Sequence, residues 1–426
     1  MPHDSGPRRL GLGSASALVV ANMVGAGVFT TSGFLLADLK SPALVLAAWF
    51  VGGLIALCGA LSYGALARAI PESGGEYLLL TRTVHPAAGF LAGWVSLFAG
   101  FSAPIAAAGH AFGKYLQAWL PHVSHLLSGS ILIIAFAIAH AWRVERGALL
   151  QNIAVAGKLA LIAISLALGF ARLSPEAANA LPAGEAWPVG AFAVSLVWIS
   201  FSYAGWNAAI YVAGEVRDPE RNLSRSLLLG TGVVTLIYLA LNAVIVFAGP
   251  GAAIAGKVDA ARIAAEQLGG SSWALGMSLL IALALATSVS AMIMAGPRVY
   301  ARMADDGCLP GAFRSHDGPP RAAIVLQLLL ALAFLWTSTF DGLLTYIGFT
   351  LNLSAGATVI GLFRLRRERG AALQICGWPW IPSLFLVFVA ATSCFAIQRK
   401  PVESGIGLLT MLLGLAVWRL TRRKQS

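Results

Sequence analysis

Residues 22–33 read NMVGAGVFTTSG and residues 201–209 read FSYAGWNAA. Each places glycines with hydroxyl or amide side chains inside a long apolar run that would otherwise form an uninterrupted helix. Unwound backbone there exposes N–H and C=O groups, which can hold charge without an ionised side chain. A half-helix carries about +0.5 of a charge at its N-terminal end and about −0.5 at its C-terminal end. Around a break in the first segment, beside Met23 and Gly25, the amides of Ala26, Gly27 and Val28 are placed to hold a carboxylate. Carbonyls around a second break, near Phe201, Ser202 and Ala204, suit an ammonium group. Phe201, Trp206 and Asn207 are then candidates for a pocket wall, with an aromatic lid as a further role for the two rings. Glycine fits such a site because a side chain would hold a ligand away from the backbone. Gly25 and Gly27 also suit a close helix–helix contact. The presence of two Gly-interrupted segments, five spans apart, favours binding over packing. On that reading a leucine at Gly27 blocks the ligand and leaves stability near wild type.

Lys158 is the other candidate. It lies in NIAVAGKLALIAI, about ten residues inside an apolar run, which is roughly 15 Å deep at 1.5 Å per residue. None of the 18 acidic residues is placed as deep by the sequence, and Glu215, at the end of the sixth span, comes nearest. An ionisable residue at that depth marks a functional site. Snorkelling to the interface is the competing reading, but a side chain about 6 Å long falls short of water from there. Enzymatic chemistry is poorly provided for. His110 and His140 are the nearest to deep histidines, and there is no His-Glu-x-x-His motif and no pair of aspartates. Cys58, Cys308, Cys376 and Cys394 lack disulfide or metal-ligand spacing and read as small hydrophobes.

The elements that hold these residues are membrane helices. Of 426 residues, 58% are hydrophobic and only 11% charged, too apolar for a soluble domain. Stretches long enough for a ~30 Å hydrocarbon core recur. They fall at 12–37, 42–69, 87–118, 126–142, 148–171, 189–214, 226–249, 272–303, 320–338, 341–363, 377–397 and 402–420. With both termini in the cytoplasm, most Lys and Arg, including Arg68, Arg82, Arg217, Arg298 and Arg364, lie on the cytoplasmic side. Only Lys40, Lys114, Arg172, Lys257, Arg262, Arg399 and Lys400 face the other way, a positive-inside bias. The net charge of +11 therefore reports topology and contact with anionic lipid, and no nucleic-acid partner is expected. The N-terminal region lacks a small-residue cleavage site, so no removable signal peptide is expected.

Four stretches resemble the amino acid–polyamine–organocation superfamily: GAGVF (25–29), PESGGEYLLLTRTVHPAAGFLAGW (71–94), FSYAGWN with GEVRDPERNLSRSL (201–227), and GPRVYARMADDGCLP (296–310). The GWN ending is similar to the L-type amino-acid transporter branch. The resemblance implies an all-α integral membrane protein of 12 transmembrane helices. Its core, residues 12–365, would be a LeuT-type 5+5 inverted repeat (12–172 and 189–365), with helices 1 and 6 discontinuous. Residues 376–421 would supply two further helices, and 1–11 and 422–426 cytoplasmic tails. It implies a multi-pass permease of a bacterial inner membrane that moves amino acids by alternating access. An exporter, a nutrient sensor and, less well, a channel are the alternatives on the same fold. The absence of deep carboxylates points to neutral substrates, and no cofactor or metal is expected. In sodium-coupled relatives of this fold an ion bridges the first and eighth helices. In relatives resembling this chain a fifth-helix lysine stands there, matching Lys158, with Thr287 and Ser288 as its candidate hydroxyl partners. Transport would then be sodium-independent, with proton coupling or exchange as its mode. The charges after the sixth and eighth spans (Arg217, Asp218, Glu220, Arg221, Arg225; Arg298, Arg302, Asp305, Asp306) form either a solvated rim or a gate.

Overall fold

The computed structural model describes residues 10–142, 147–173, 188–314, 318–370 and 373–422. Among these the regular structure is helical, and the one β feature is an isolated bridge between Leu10 and Val216. Helices α1 (Leu12–Met23) and α2 (Gly27–Leu39) form one rod bent by 46°. Helix α3 (Pro42–Ala69) starts at Pro42, with the Ser41 hydroxyl accepting from the Leu44 N–H at 3.4 Å. Both are favoured start signals, since a proline needs no N–H partner in the first turn and serine satisfies a free one. The short α4 (Gly75–Thr83) precedes α5 (Pro86–Val95), which passes through a π-helical turn, Ser96–Ser102, into α6 (Ala103–Leu116). Next come α7 (His125–Ala141) and α8 (Gly147–Arg172). Helix α9 (Val189–Tyr203) gives way to a 3₁₀ segment, Ala208–Glu215. The chain continues through α10 (Pro219–Phe247), α11 (Gly251–Ile254), α12 (Ala260–Gly269) and α13 (Ser271–Asp305). It ends with α14 (Arg321–Thr337), α15 (Phe340–Arg369), α16 (Trp380–Arg399) and α17 (Pro401–Arg422).

Among the described residues, eight helices are long and apolar enough to cross a bilayer, nine when α1 and α2 count as one bent span. The apolar helices α7 and α14 have 17 residues each. Exposed Leu229, Val233 and Leu236 on α10 and Leu384 and Val387 on α16 present apolar surface to lipid. Helix ends overrun the apolar stretches where polar turns are still helical. Helix α10 begins at Pro219, not at 226, because proline opens the first turn and residues 219–225 are polar but helical. Helix α15 runs on to Arg369 through a basic last turn, which suits the negative end of the helix dipole.

Both Gly-interrupted segments are broken, and the breaks touch. Val24 leaves the helical region with ψ 90°, and Ala204 does so with ψ 140°. Gly205 follows at φ +102°, where a Cβ would stand 2.9 Å from the carbonyl carbon and oxygen of Asn22. Only glycine meets both demands. From α10, the fully buried Tyr238 hydroxyl reaches Met23 O at 2.6 Å and Ser202 O at 3.0 Å. One side chain thus serves carbonyls that each helix leaves free where it stops.

Beyond the breaks, away from α1, aromatic and polar side chains of α2, α9 and α15 meet. Phe34 stacks on Phe340 at 5.7 Å and meets Trp198 edge-on at 6.1 Å. The Trp198 indole donates to Thr345 Oγ1 at 2.8 Å, and Lys400 pairs with Asp341 at 2.8 Å.

Candidate functional site

A cavity of about 1920 Å³ runs from one face of the bundle to the paired breaks. Its mouth is bordered by Leu10, Glu72, Arg82, Arg298 and Arg302, and its inner wall includes Gly25, Ala26, Gly27, Lys158, Ser202 and Asn352. The π-helical turn contributes Ser96, Gly100 and Phe101 to the wall. Such turns aim residues that a regular helix would direct elsewhere.

The first-helix break supplies donors. Among the described residues no acceptor takes the N–H groups of Ala26, Gly27 or Val28, the Gly25 N–H meets the Tyr238 hydroxyl oxygen, and α2's first backbone bond runs from Phe29 to Ala26 O at 3.2 Å. Of the three with a free N–H, Ala26 and Gly27 line the cavity with Gly25, and Val28 is fully buried. The two glycines differ. A Cβ at Gly25 would meet only Met23 O, at 3.8 Å, whereas one at Gly27 would stand 2.6 Å from Ser202 Cα. Gly27 therefore lets α2 cross α9 closely, and the expectation that leucine there spares stability does not hold. We predict that Gly27→Leu lowers stability on the order of 3 kcal/mol, read as a fall in detergent-solubilised melting temperature. An unchanged melting temperature would contradict the close crossing.

The second break is partly satisfied internally. Phe201 O accepts from Ala204 N–H at 3.0 Å, and Ser202 O accepts from Tyr238. Each carbonyl keeps a second lone pair, and both residues line the cavity with Ala204, Trp206 and Asn207. Trp206 is wedged between α3 and α16, edge-on to Tyr63 at 4.6 Å and to Phe385 at 6.3 Å.

Lys158 is 7% exposed, and its ammonium donates to Val24 O and to Ser288 Oγ, each at 2.9 Å. It ties the broken rod to α13 inside the bundle. Thr287, one position away, turns back to its own helix and donates to Ala284 O at 2.8 Å. Adjacent helical residues point about 100° apart, so only one of the two hydroxyls can face α8.

One carboxylate does enter the bundle, and sequence reasoning missed it. Gly74 and Gly75 take φ +150° and +59°, turning α4 inward so that Glu76, 7% exposed, lines the cavity. Glu76 accepts from Tyr63 at 2.6 Å, Asn207 Nδ2 at 3.2 Å and Ser354 at 3.1 Å. Burial raises its carboxyl pKa above the usual range, and the three donated hydrogen bonds oppose that shift. The segment read as a polar connection, and the double glycine was the available sign that it folds back. Tyr238, equally missed, carries no sign at all within an apolar helix.

At the mouth, Arg302 pairs with Asp306 at 3.4 Å across the C-terminal end of α13, and Arg82 pairs with Glu72 at 3.2 Å. Tyr77 donates to Asp306 at 3.1 Å, bridging α4 and α13. His140 shares a hydrogen bond with Ser290 at 2.9 Å, and His110 packs on the His125 ring. Among the described residues no cluster of three His, Cys, Asp or Glu could hold a metal ion.

A multi-pass helical bundle whose two broken helices meet at a deep cavity of free backbone groups is built as a membrane transporter of small polar solutes. The chain belongs to the amino acid permease family, whose model matches residues 10–417. It is 30% identical to the large neutral amino acids transporter small subunit 2 of Mus musculus, covering 97% of this chain and 81% of that one. It is 28% identical to the Asc-type amino acid transporter 1 of Homo sapiens, covering 97% and 82%. The serine/threonine exchanger SteT of Bacillus subtilis matches at 28% identity over 99% of each chain. The protein is thus an L-type-like amino-acid permease of the amino acid–polyamine–organocation superfamily, and a transporter, not an enzyme.

Proposed function

We propose that this permease moves neutral amino acids by alternating access, without sodium, in an exchange or proton-coupled mode. The observation that carries the reading is the pair of unpartnered N–H groups at Ala26 and Gly27, open to the cavity beside a buried lysine. These donors suit the substrate α-carboxylate, and the α9 terminus with its spare carbonyl lone pairs suits the α-ammonium. Glu76 is the nearest carboxylate, and three neutral donors already occupy it, so the site offers no free anion to a cationic side chain.

The two breaks, five spans apart, support a 5+5 inverted repeat over residues 12–365, with α16 and α17 as the last two of twelve spans. If the basic-rich mouth is cytoplasmic, the cavity belongs to an inward-facing state, with both termini inside a bacterial inner membrane. Ion pairs at the mouth, Arg302–Asp306 and Arg82–Glu72, would rearrange as it closes. Lys158 takes the place of a coupling ion by holding Val24 O and Ser288.

Competition against radiolabelled alanine uptake in proteoliposomes tests the substrate assignment. Neutral amino acids should displace one another. Amines lacking the carboxylate, and carboxylates lacking the amine, should compete at least about a hundredfold more weakly, because one charged end goes unmet. Strong competition by a diamine or a decarboxylated amino acid would overturn it.

A further inference from the structure

We propose that Glu76 is a positioning residue that fixes the Asn207 amide with its carbonyl oxygen toward the substrate, so that the site selects side chains that donate a hydrogen bond. This rests on the amino-acid permease reading above and narrows it to hydroxyl- and amide-bearing substrates such as threonine, serine and asparagine.

The geometry is as follows. Asn207 sits in the turn between α9 and the 3₁₀ segment, two residues after Gly205, and lines the cavity that also holds Gly25, Gly27 and Lys158. Its Nδ2 donates to Glu76 Oε1 at 3.2 Å. That oxygen also accepts from the Tyr63 hydroxyl at 2.6 Å, and Ser354 donates to Oε2 at 3.1 Å. The bond from Nδ2 sets the Asn207 amide with its NH₂ toward α4. Its Oδ1 then faces the other way. Among the described residues Oδ1 has no hydrogen-bond partner, and it is not among the buried atoms left without one. It therefore opens on the cavity as an acceptor. Three elements hold Glu76 in place: Tyr63 from α3, Ser354 from α15, and the α4 backbone turned inward at Gly74 and Gly75. Tyr211 packs against Gly75 and closes the cluster behind it.

An acceptor fixed in this way treats isosteres unequally. Threonine can donate its hydroxyl to Oδ1, whereas valine, of the same shape, leaves that oxygen desolvated and unpaired. Sites built to hydrogen-bond a substrate hydroxyl reject the analogue lacking it far better than apolar pockets reject an added methyl.

The test is the ratio of threonine to valine kcat/KM in counterflow by proteoliposomes containing the full-length permease. Wild type should favour threonine by about tenfold, the scale of one well-made hydrogen bond against an unpaired acceptor. Glu76→Leu removes every acceptor and should bring the ratio below about twofold. Asn207→Leu should do the same, and the double variant should fall no further, because the two act through one contact. Glu76→Gln keeps an Oε1 acceptor for Asn207 and should retain most of the preference. A merely structural role for Glu76 changes the amount of active protein and leaves the ratio alone. Equal turnover of threonine and valine by wild type, or a full preference in Asn207→Leu, overturns the inference with the permease reading intact. If Glu76→Leu does not fold, the wild-type ratio and Asn207→Leu still decide. Loss of the ratio in Glu76→Gln as complete as in Glu76→Leu would also overturn it, since charge and not orientation would then matter. Absence of counterflow with every amino acid would overturn the permease reading itself.

Discussion

Lys158→Met is expected to reduce substrate affinity by about a hundredfold while the protein folds with near-wild-type stability. Two charge-assisted hydrogen bonds are lost, to Val24 O and Ser288 Oγ, both 2.9 Å, and each is worth about 1.5–3 kcal/mol. That energy holds the broken rod against α13, so its loss loosens the geometry in which Ala26 and Gly27 present their N–H groups. Methionine conserves length and apolar volume, and replacing a buried ion by a packed apolar side chain costs little stability. Lys158→Ala should lose binding equally and also leave a void, lowering the melting temperature as well. Isothermal titration of detergent-solubilised protein with substrate, beside a melting curve, separates the two effects. Unchanged affinity in Lys158→Met would remove the lysine from the site.

Gly25→Val should abolish substrate binding without unfolding. A Cβ there meets only Met23 O at 3.8 Å, so the branched side chain has room, and that room is the cavity. It would occupy the space from which a carboxylate approaches the amides of Ala26 and Gly27. Stability should change by less than about 1 kcal/mol, whereas affinity should fall beyond measurement. Retained binding in this variant would mean that the ligand lies elsewhere in the cavity. The contrast with Gly27→Leu, whose expected effect is on stability, distinguishes a glycine that admits ligand from one that admits a neighbouring helix.

The features legible in the sequence were those in which a residue type conflicts with its surroundings. A lysine inside an apolar run, and glycines with polar neighbours inside two others, stand out without any structure. Membrane stretches are legible for the same reason, and each apolar stretch falls largely on helix, though residues 12–37 divide into α1 and α2 and residues 189–214 into α9 and the 3₁₀ segment. What stayed hidden depends on direction and return of the chain. Glu76 looks solvated because its neighbours are polar, and only the turn at Gly74 and Gly75 carries it inward. Tyr238 resembles any aromatic in a membrane helix until both breaks are seen to converge on its hydroxyl. Ser288 and Thr287 are equivalent in composition and differ only in the face of α13 they occupy. The family resemblance read from GAGVF, the 71–94 loop and FSYAGWN agrees with the family match over residues 10–417.

The central claim is that Lys158, and not a bound sodium ion, completes the broken-helix site for an amino acid. Counterflow of radiolabelled threonine into proteoliposomes preloaded with threonine, with choline replacing sodium on both sides, tests it most directly. Wild type should accumulate label at the same rate with and without sodium, and Lys158→Met should accumulate almost none in either buffer. A wild-type rate that needs sodium, or Lys158→Met counterflow equal to wild type, would contradict it.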